Sequence, residues 1–220
     1  MSLIAILDYE LGNIQSISAA LRIVGSDVLL TRRREDIVKA DGVVLPGVGA
    51  FSHGMNKLRE HGLISVVEEC ADANKPILGI CLGMQMLLSE SYEFGLTKGL
   101  GLIPGSVREL DLAKSVGDKL PHVSWSEIEP AQPNSWTDTI FRDTQSGEDM
   151  YFVHSFRAIP ENQDHILSET RFAGATFCSA VKNGNVYGCQ FHPEKSGESG
   201  LKIIKSFIDI CNRGKSDARA

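Results

Sequence analysis

Residues 76–85, PILGICLGMQ, place Cys81 between Gly79 and Gly83 in a G-x-C-x-G arrangement, at the junction of a predicted strand and a predicted helix. This is the cysteine form of a nucleophile elbow. The glycines let the chain turn sharply and bring backbone close to the nucleophile, and a helix N-terminus favours thiolate over thiol. Cys81 is therefore expected to be exposed and activated. A cysteine nucleophile needs a base, and the base needs a third group to orient it. The segment YGCQFHPEKSG, residues 187–197, supplies both. His192 ends a predicted strand and Glu194 lies two residues on, so extended backbone through Pro193 aims both side chains the same way. Each segment alone also has a plain structural reading. Cys81 would then be a small core residue, and His192 and Glu194 a strand end and a solvated charge. Together they favour a Cys–His–Glu triad.

Acyl transfer also needs donors for a developing oxyanion. The Leu82 N–H, directly after the nucleophile, is one. The second is expected from the turn Pro46-Gly47-Val48-Gly49, whose glycines open peptide orientations that would let the Val48 N–H point into the site.

The elements that must carry these residues follow from periodicity. Leu3 to Leu7 is an apolar run, and Ile14, Ile17, Leu21 and Val24 recur at helical spacing between a cap at Asn13 and a stop at Gly25. The order repeats, with strands at Asp27 to Thr31, Gly42 to Leu45 and Pro76 to Ile80, and helices near residues 50–60, 63–73 and 82–90. Strands that are apolar throughout belong where both sheet faces are covered. The expected fold class is α/β, an open, mostly parallel sheet flanked by helices. Antiparallel strands are expected to extend it, from Ser106 to Leu110, Met150 to Phe156, Ala175 to Lys182 and Asn185 to Phe191. Asn183 and Gly184 would form a two-residue hairpin turn between the last two. Pro130 to Asp138 reads as a loop. Leu201, Ile204, Ile208 and Cys211 mark a final helix, giving one domain over residues 1–212 and a frayed tail, RGKSDARA, over 213–220.

A chain of 220 residues with 42% hydrophobic and 23% charged residues is an ordinary globular composition, long enough to bury a large core. A net charge of −6 argues against general affinity for nucleic acid or an anionic membrane. Five cysteines, an odd number without a C-x-x-C pair, make a zinc site or disulfide framework improbable. His53, His61, His122 and His165 show no metal-ligand spacing, and His154 lies in a predicted strand beside the site without an evident role. No metal and no cofactor are expected. No basic segment precedes the first apolar run and no stretch approaches a membrane span, so the expected location is cytoplasmic. Arg32, Arg33 and Arg34, followed by Glu35 and Asp36, read as a solvated helix start, and Met55, Met84 and Met86 as core.

Along the chain, LDYELGNIQS, LPGVGAFSHGM, GICLGMQML, LPHVSWSEI, YFVHSFRA and FHPEKSG resemble the class I, triad-type glutamine amidotransferases. Within that class they resemble the HisH-type glutaminase subunits of imidazole glycerol phosphate synthase. The resemblance covers nearly the whole chain. It implies a flavodoxin-like fold and hydrolysis of L-glutamine to glutamate and ammonia through a cysteine thioester. Cys81 would be the nucleophile, His192 the acid and base, and Glu194 its orienter. It also implies Gly47, Gly49, Gln85, Glu93, Ser155 and Phe156 as glutamine-binding residues, and Asn13, Trp125 and Lys195 at an interface. The partner implied is a HisF-type (β/α)8 barrel, which takes the ammonia through its interior. The barrel makes imidazole glycerol phosphate and an aminoimidazole carboxamide ribonucleotide in histidine biosynthesis. Docking to it would form the oxyanion hole by a peptide flip in the PGVG turn. Taken without the resemblance, Trp125 reads equally well as a core aromatic, Lys195 and Glu93 as surface charges, and Gln85 as a partly buried helix residue.

Two departures from that family pattern stand out. Ser124 and Ser126 flank Trp125 where glycine and asparagine are usual, and Phe156 stands where tyrosine often does. Neither touches the triad. They keep open a HisH-like paralogue that supplies ammonia for amidino-sugar synthesis. A stand-alone cysteine hydrolase and a catalytically silent regulatory subunit complete the alternatives; Leu82 and the PGVG turn weigh against the first, the complete triad against the second.

Overall fold

The computed structural model describes residues 1–112 and 119–217. Its first part alternates strands and helices: β1 (Leu3–Leu7), α1 (Ile14–Ile23), β2 (Asp27–Thr31), α2 (Arg34–Lys39), β3 (Gly42–Leu45), α3 (Phe51–Glu60), α4 (Ile64–Asp72), β4 (Ile77–Ile80) and α5 (Leu82–Met86). The second part is mostly strands: β5 (Leu88–Ser91), β6 (Thr97–Lys98), β7 (Ile103–Glu109), β8 (His122–Pro130), β9 (Glu148–His154), β10 (Phe156–Pro160), β11 (Ile166–Phe172), β12 (Ala175–Asn183) and β13 (Val186–Cys189), followed by α6 (Gly197–Asp217). β2, β1, β3, β4 and β13 lie side by side in that order, all parallel. From β13 the sheet continues through β12, β10, β7, β5 and β6, while β11, paired with β12, carries β8 and then β9 as a side extension.

The parallel strands are apolar on both faces because helices cover both. Side chains alternate across a strand. Ile4 and Ile6 of β1 therefore pack with Ile17, Leu21, Ile204 and Phe207 of α1 and α6. Ala5 and Leu7 point the other way, into a second core with Phe51, Met55, Leu58 and Val67 of α3 and α4. In such a sheet ligands meet the carboxyl ends of the strands. β1 ends there just before Tyr9, β3 before the PGVG turn, β4 before Cys81 and β13 before His192. The expected α/β architecture is thus present, with antiparallel strands added.

Several local expectations need correction. The helix expected over 82–90 ends at Met86, because Leu88–Ser91 instead pairs with β6 and β7. An apolar run cannot reveal which of those partners will claim it. The single strand expected from Met150 to Phe156 is two. β9 pairs with β8 up to His154, and β10 pairs with β7 and β12 from Phe156, so the chain changes partners at Ser155. Asn183 pairs with Val186, so the hairpin turn is Gly184 and Asn185, with Gly184 at φ +56° in the first central position. Asn13 sits at the N-cap of α1, but its side chain makes no capping hydrogen bond. α6 continues to Asp217, past the expected boundary after residue 212, and residues 218–220 of the expected tail lie outside the described residues. β6, β8 and β11 had no expectation as strands. No described helix is long and apolar enough to cross a membrane.

The elbow glycines are fixed by backbone approach. A Cβ on Gly79 would stand 2.8 Å from the Gly83 carbonyl and the Met84 nitrogen, and one on Gly83 would stand 1.9 Å from the Leu45 carbonyl oxygen. Neither neighbour is a flexible side chain, so β3, β4 and α5 would have to separate. Gly83→Ala is expected to cost about 3 kcal/mol, lowering Tm by roughly 6–12 °C for a chain of this size. Gly25→Ala, with φ +89° and no atom nearby, is expected to cost about 1 kcal/mol. Thermal unfolding of the two variants checks both, and equal melting temperatures would contradict this account of the elbow.

Candidate active site

Cys81 joins β4 to α5 with φ +55° and ψ −109°, a conformation rare for a residue with a Cβ. Its backbone holds that geometry on both sides. The Cys81 N–H donates to the Cys189 carbonyl of β13 at 2.8 Å, and the Cys81 carbonyl accepts from Gln85 N–H at 3.2 Å. The expected exposed cysteine is corrected here: Cys81 is only 7% accessible. Its side chain lines the wall of a cleft of about 420 Å³, within the range of small-molecule sites. The thiol lies 3.8 Å from the Val153 carbonyl oxygen, and Gln190 Nε2 approaches the sulfur at 3.8 Å.

His192 lines the same cleft. Its Nδ1 donates to Glu194 Oε1 at 2.9 Å, and the Glu194 side chain is fully buried behind it. Nε2 is buried with no ordinary hydrogen-bond partner, leaving it free for the Cys81 sulfur. Loose contacts of this kind are common before substrate binds. Burial alone would lower the His192 pKa, but the nearby Cys81 sulfur and the Glu194 carboxylate outweigh it and push it up to about 9. At neutral pH the imidazolium is the favoured form.

The surrounding wall combines four parts of the chain. Val48 and Gly49 from the PGVG turn, Leu82 and Gln85 from α5, Glu93, and Ser155 and Phe156 all line the cleft. Gln85 Nε2 donates to the Phe156 carbonyl at 3.1 Å and to Gln190 Oε1 at 3.0 Å, locking the helix to the β9–β10 junction. Glu93 Oε2 accepts from the Phe51 N–H at 2.6 Å, so this carboxylate also serves the first turn of α3. Gly47 does not line the cleft. A Cβ there would stand 2.8 Å from the Gly83 nitrogen and 2.9 Å from the Tyr9 hydroxyl, which makes Gly47 a packing glycine that seats the turn on α5. The Tyr9 hydroxyl donates to the Pro46 carbonyl and pins the start of the same turn.

Asn13, Trp125 and Lys195 are all outside the cleft. Trp125 is 53% exposed on β8 and its ring stands 5.9 Å from that of Tyr151; Lys195 Nζ lies 5.9 Å from the centre of the same Tyr151 ring. Asn13 precedes α1, which packs on the 193–195 turn carrying Lys195. The three therefore sit on neighbouring surface elements, and Trp125 is not a core aromatic.

Phe94, Pro121 and Val153 also line the cleft and were not foreseen there, whereas His154, expected beside the site without a role, does line it. Phe94, 90% exposed, stands edge-on to Phe156 with ring centres 6.5 Å apart. Only Gln190 carried a local signal, lying two residues before His192 and so sharing its side of the chain. Pro121 and Val153 reach the cleft through the pairing of β8 with β9, which no local pattern announces. Among the described residues, no group of three or more His, Cys, Asp or Glu is placed to hold a metal ion.

Comparison with known proteins agrees with this geometry. The family model for class I glutamine amidotransferases matches residues 5–210. An imidazole glycerol phosphate synthase subunit HisH 1 from Legionella pneumophila (strain Lens) is 44% identical over 213 residues, 96% of this chain and 100% of the relative. A HisH subunit from Bacillus cereus (strain B4264) is 41% identical over 215 residues, 97% of this chain and 98% of the relative. Among solved structures, PurLQS from Thermotoga maritima superposes with TM-score 0.70 at 22% identity, covering 96% of this chain and 99% of that one. The glutaminase domain of Trypanosoma brucei CTPS gives TM-score 0.64 at 15% identity, covering 97% and 94%. These two likenesses speak for the fold alone, whereas the family match and the full-length relatives speak for descent. The chain belongs to the class I glutamine amidotransferases, in the branch of the HisH subunits of imidazole glycerol phosphate synthase.

Proposed function

We propose that Cys81, His192 and Glu194 are the triad by which this glutaminase subunit hydrolyses L-glutamine, and that its ammonia passes to a HisF-type (β/α)8 barrel. The observation that carries the reading is the convergence of an elbow cysteine, a carboxylate-oriented imidazolium and a carboxylate-lined cleft. The Cys81 thiolate attacks the side-chain carboxamide carbon of glutamine. His192, protonated beside that thiolate, gives its Nε2 proton to the departing ammonia as the γ-glutamyl thioester forms. Once the sulfur is acylated, its negative charge is gone. Burial then weighs more heavily against the Glu194 carboxylate, the His192 basicity falls, and the imidazole is poised to take a proton from the attacking water. The thioester breaks, glutamate leaves and the thiolate returns.

In this reading the Leu82 and Val48 N–H groups stabilise both tetrahedral oxyanions. Leu82 is the first residue of α5, where a helix has no internal acceptor for its N–H. Glu93 takes the substrate ammonium with the oxygen not committed to Phe51, and Gly49, Gln85, Ser155 and Phe156 shape the rest of the pocket. Trp125, Lys195 and Asn13 form the docking face for the barrel, with Trp125 as its aromatic anchor. A cytoplasmic location suits five unpaired, buried cysteines.

The decisive measurement compares glutamate and ammonia release by this chain alone and with a HisF-type barrel carrying its nucleotide substrate. Strong stimulation is expected, with Cys81→Ala reducing turnover by about 10³-fold or more in both settings. Turnover that ignores that barrel would keep the triad and redirect the search to a sugar-amidation partner. Absence of any Cys81-dependent turnover would defeat the proposal. Glu93→Gln is expected to raise the KM for glutamine about 10- to 100-fold, the loss of one charge-assisted contact, while leaving Cys81 alkylation unchanged.

The pH dependence has a definite sign. The His192 pKa is raised above its ordinary value of about 6.5, so its contribution to stability is complete below that pH and is lost as pH rises through about 9. The Tm difference between the native chain and His192→Asn should therefore shrink across this window. A Tm difference that grows over the same window would contradict the ion pair.

A further inference from the structure

Two buried imidazoles that the triad does not use stand in line behind the cleft. His154, 6% exposed, ends β9 and lines the pocket. Its Nδ1 is 2.8 Å from the Phe156 carbonyl oxygen, and its Nε2 is 3.1 Å from Nδ1 of His122. His122, 0% exposed, opens β8 directly opposite His154 in the ladder. Its Nε2 is 2.9 Å from Ser124 Oγ and 3.0 Å from Ser126 Oγ, and the two hydroxyls are 3.2 Å apart.

Hydrogen-bond chemistry fixes the direction of the whole line. A carbonyl oxygen only accepts, so His154 Nδ1 must donate. Burial holds both rings neutral, lowering the His154 pKa to about 3 and that of His122 to about 4. A neutral imidazole has a single N–H. His154 Nε2 must then accept, His122 Nδ1 must donate, and the single lone pair of His122 Nε2 must accept from one serine hydroxyl, with the other serine placed to donate to the first. Every bond runs from Ser124 and Ser126 through His122 and His154 to the Phe156 carbonyl. That same carbonyl accepts from Gln85 Nε2, which also reaches Gln190 beside Cys81. The His122 ring cannot swing out of line, since it is stacked between Phe172 and Phe152 with ring centres 3.8 and 4.9 Å away.

We infer that His122 is a positioning residue for the glutamine pocket: through His154 it holds the Phe156 carbonyl, and with it the Phe156–Arg157 peptide behind the pocket wall, and Ser124 and Ser126 tie that wall to β8. Trp125 lies between the two serines and points to the opposite side of β8, so the strand that carries the exposed aromatic also carries the donors of the line. Here the serines that depart from the family pattern gain a physical role, as the hydroxyls that satisfy His122 Nε2. The inference rests on the glutaminase reading of the cleft, but its first test does not.

Long-range proton–nitrogen NMR of the full chain with 15N-labelled histidine, at pH 7, is expected to show both His122 and His154 neutral and protonated on Nδ1, the minor tautomer of free imidazole. Either ring protonated on Nε2 alone, or charged, overturns the directed line. His122→Phe keeps the stacked ring and removes its hydrogen bonds. It is expected to raise the KM for glutamine about tenfold, with kcat within about twofold, and Ser124→Ala/Ser126→Ala to raise KM about threefold, as expected for weakening one hydrogen bond. Unchanged KM in the double serine variant and in folded His122→Phe overturns the positioning role. If His122→Phe does not fold, the half-exposed serines still decide it. Native protein without Cys81-dependent turnover would count against the glutaminase reading, and the tautomers would then decide the hydrogen-bonded line by themselves.

Discussion

The hydrogen bond from the Cys81 N–H to the Cys189 carbonyl, 2.8 Å long, is the constraint on which the site depends. It is the last rung of the parallel pairing of β4 with β13, which sets Cys189 beside Ile80. One strand is followed by the elbow and the other by Gln190, Phe191 and His192. Two segments remote in sequence therefore leave the sheet at the same edge, with cysteine and histidine facing one cleft. The elbow conformation is unfavourable for a lone cysteine, of the order of 1–3 kcal/mol. It persists because Gly79, Gly83 and Gly47 allow β3, β4 and α5 to approach backbone to backbone. The same compression that makes Gly83 irreplaceable exposes the sulfur to the cleft while keeping the residue almost wholly buried.

Electrostatics build on that geometry. A cationic His192 in a buried place is tolerable only with compensating groups around it, and the Glu194 carboxylate stands behind it with the Cys81 sulfur nearby. His154 lines the same pocket and contributes no second positive charge, because burial, aided by the neighbouring His122 and His192, keeps it neutral. Two histidines in one cleft thus carry different protonation states for structural reasons: one has a buried carboxylate, the other a backbone carbonyl and another imidazole. The proposed split, acid–base chemistry at His192 and positioning at His154, rests on their partners and not on their residue type.

Legibility from sequence divides along the line between local and distant constraints. The elbow and the alternating cores of β1 could be read because each is encoded within a few residues; His192 and Glu194 do meet, but across a 3-10 turn at Pro193–Lys195 and not along the extended backbone that their spacing suggested. The Trp125 surface and the identity of Glu93, Ser155 and Phe156 as cleft residues came from resemblance, since nothing local separates Glu93 from any surface charge. The strand at Leu88–Ser91 was hidden inside an apolar run whose helical pattern is equally good, and its pairing with β6 and β7 decided the matter. The change of partners at Ser155 and the approach of Val153 and Pro121 to the cleft depend on β8 and β9, which sit at the far side of the sheet extension. The His122–His154 line was invisible for the same reason. Thirty-odd residues separate its members, and only the β8–β9 register aligns them.

That division has a consequence for how the protein can be controlled. Cys81, His192 and Glu194 follow strands of the parallel half of the sheet, whereas Val153, His154, Ser155 and Phe156 belong to the junction between the β8–β9 extension and β10. A complete pocket requires the two halves to keep their relative placement. Among the groups that hold them together there are Gln85 on the Phe156 carbonyl, the Cys81 thiol near the Val153 carbonyl, the His192 backbone N–H on the Tyr151 carbonyl at 2.9 Å and the Tyr151 N–H on the Ser196 hydroxyl at 3.0 Å. Tyr151 also lies between the rings and charges of Trp125, His192 and Lys195. A partner that presses on Trp125 and Lys195 would therefore load a seam where small displacements move both His192 and the pocket wall. Tightly packed interiors pass such displacements on because they cannot absorb them locally. An amidotransferase assembled across a seam of this kind can keep its nucleophile rigid while leaving the rest of the site responsive to whatever docks beside it.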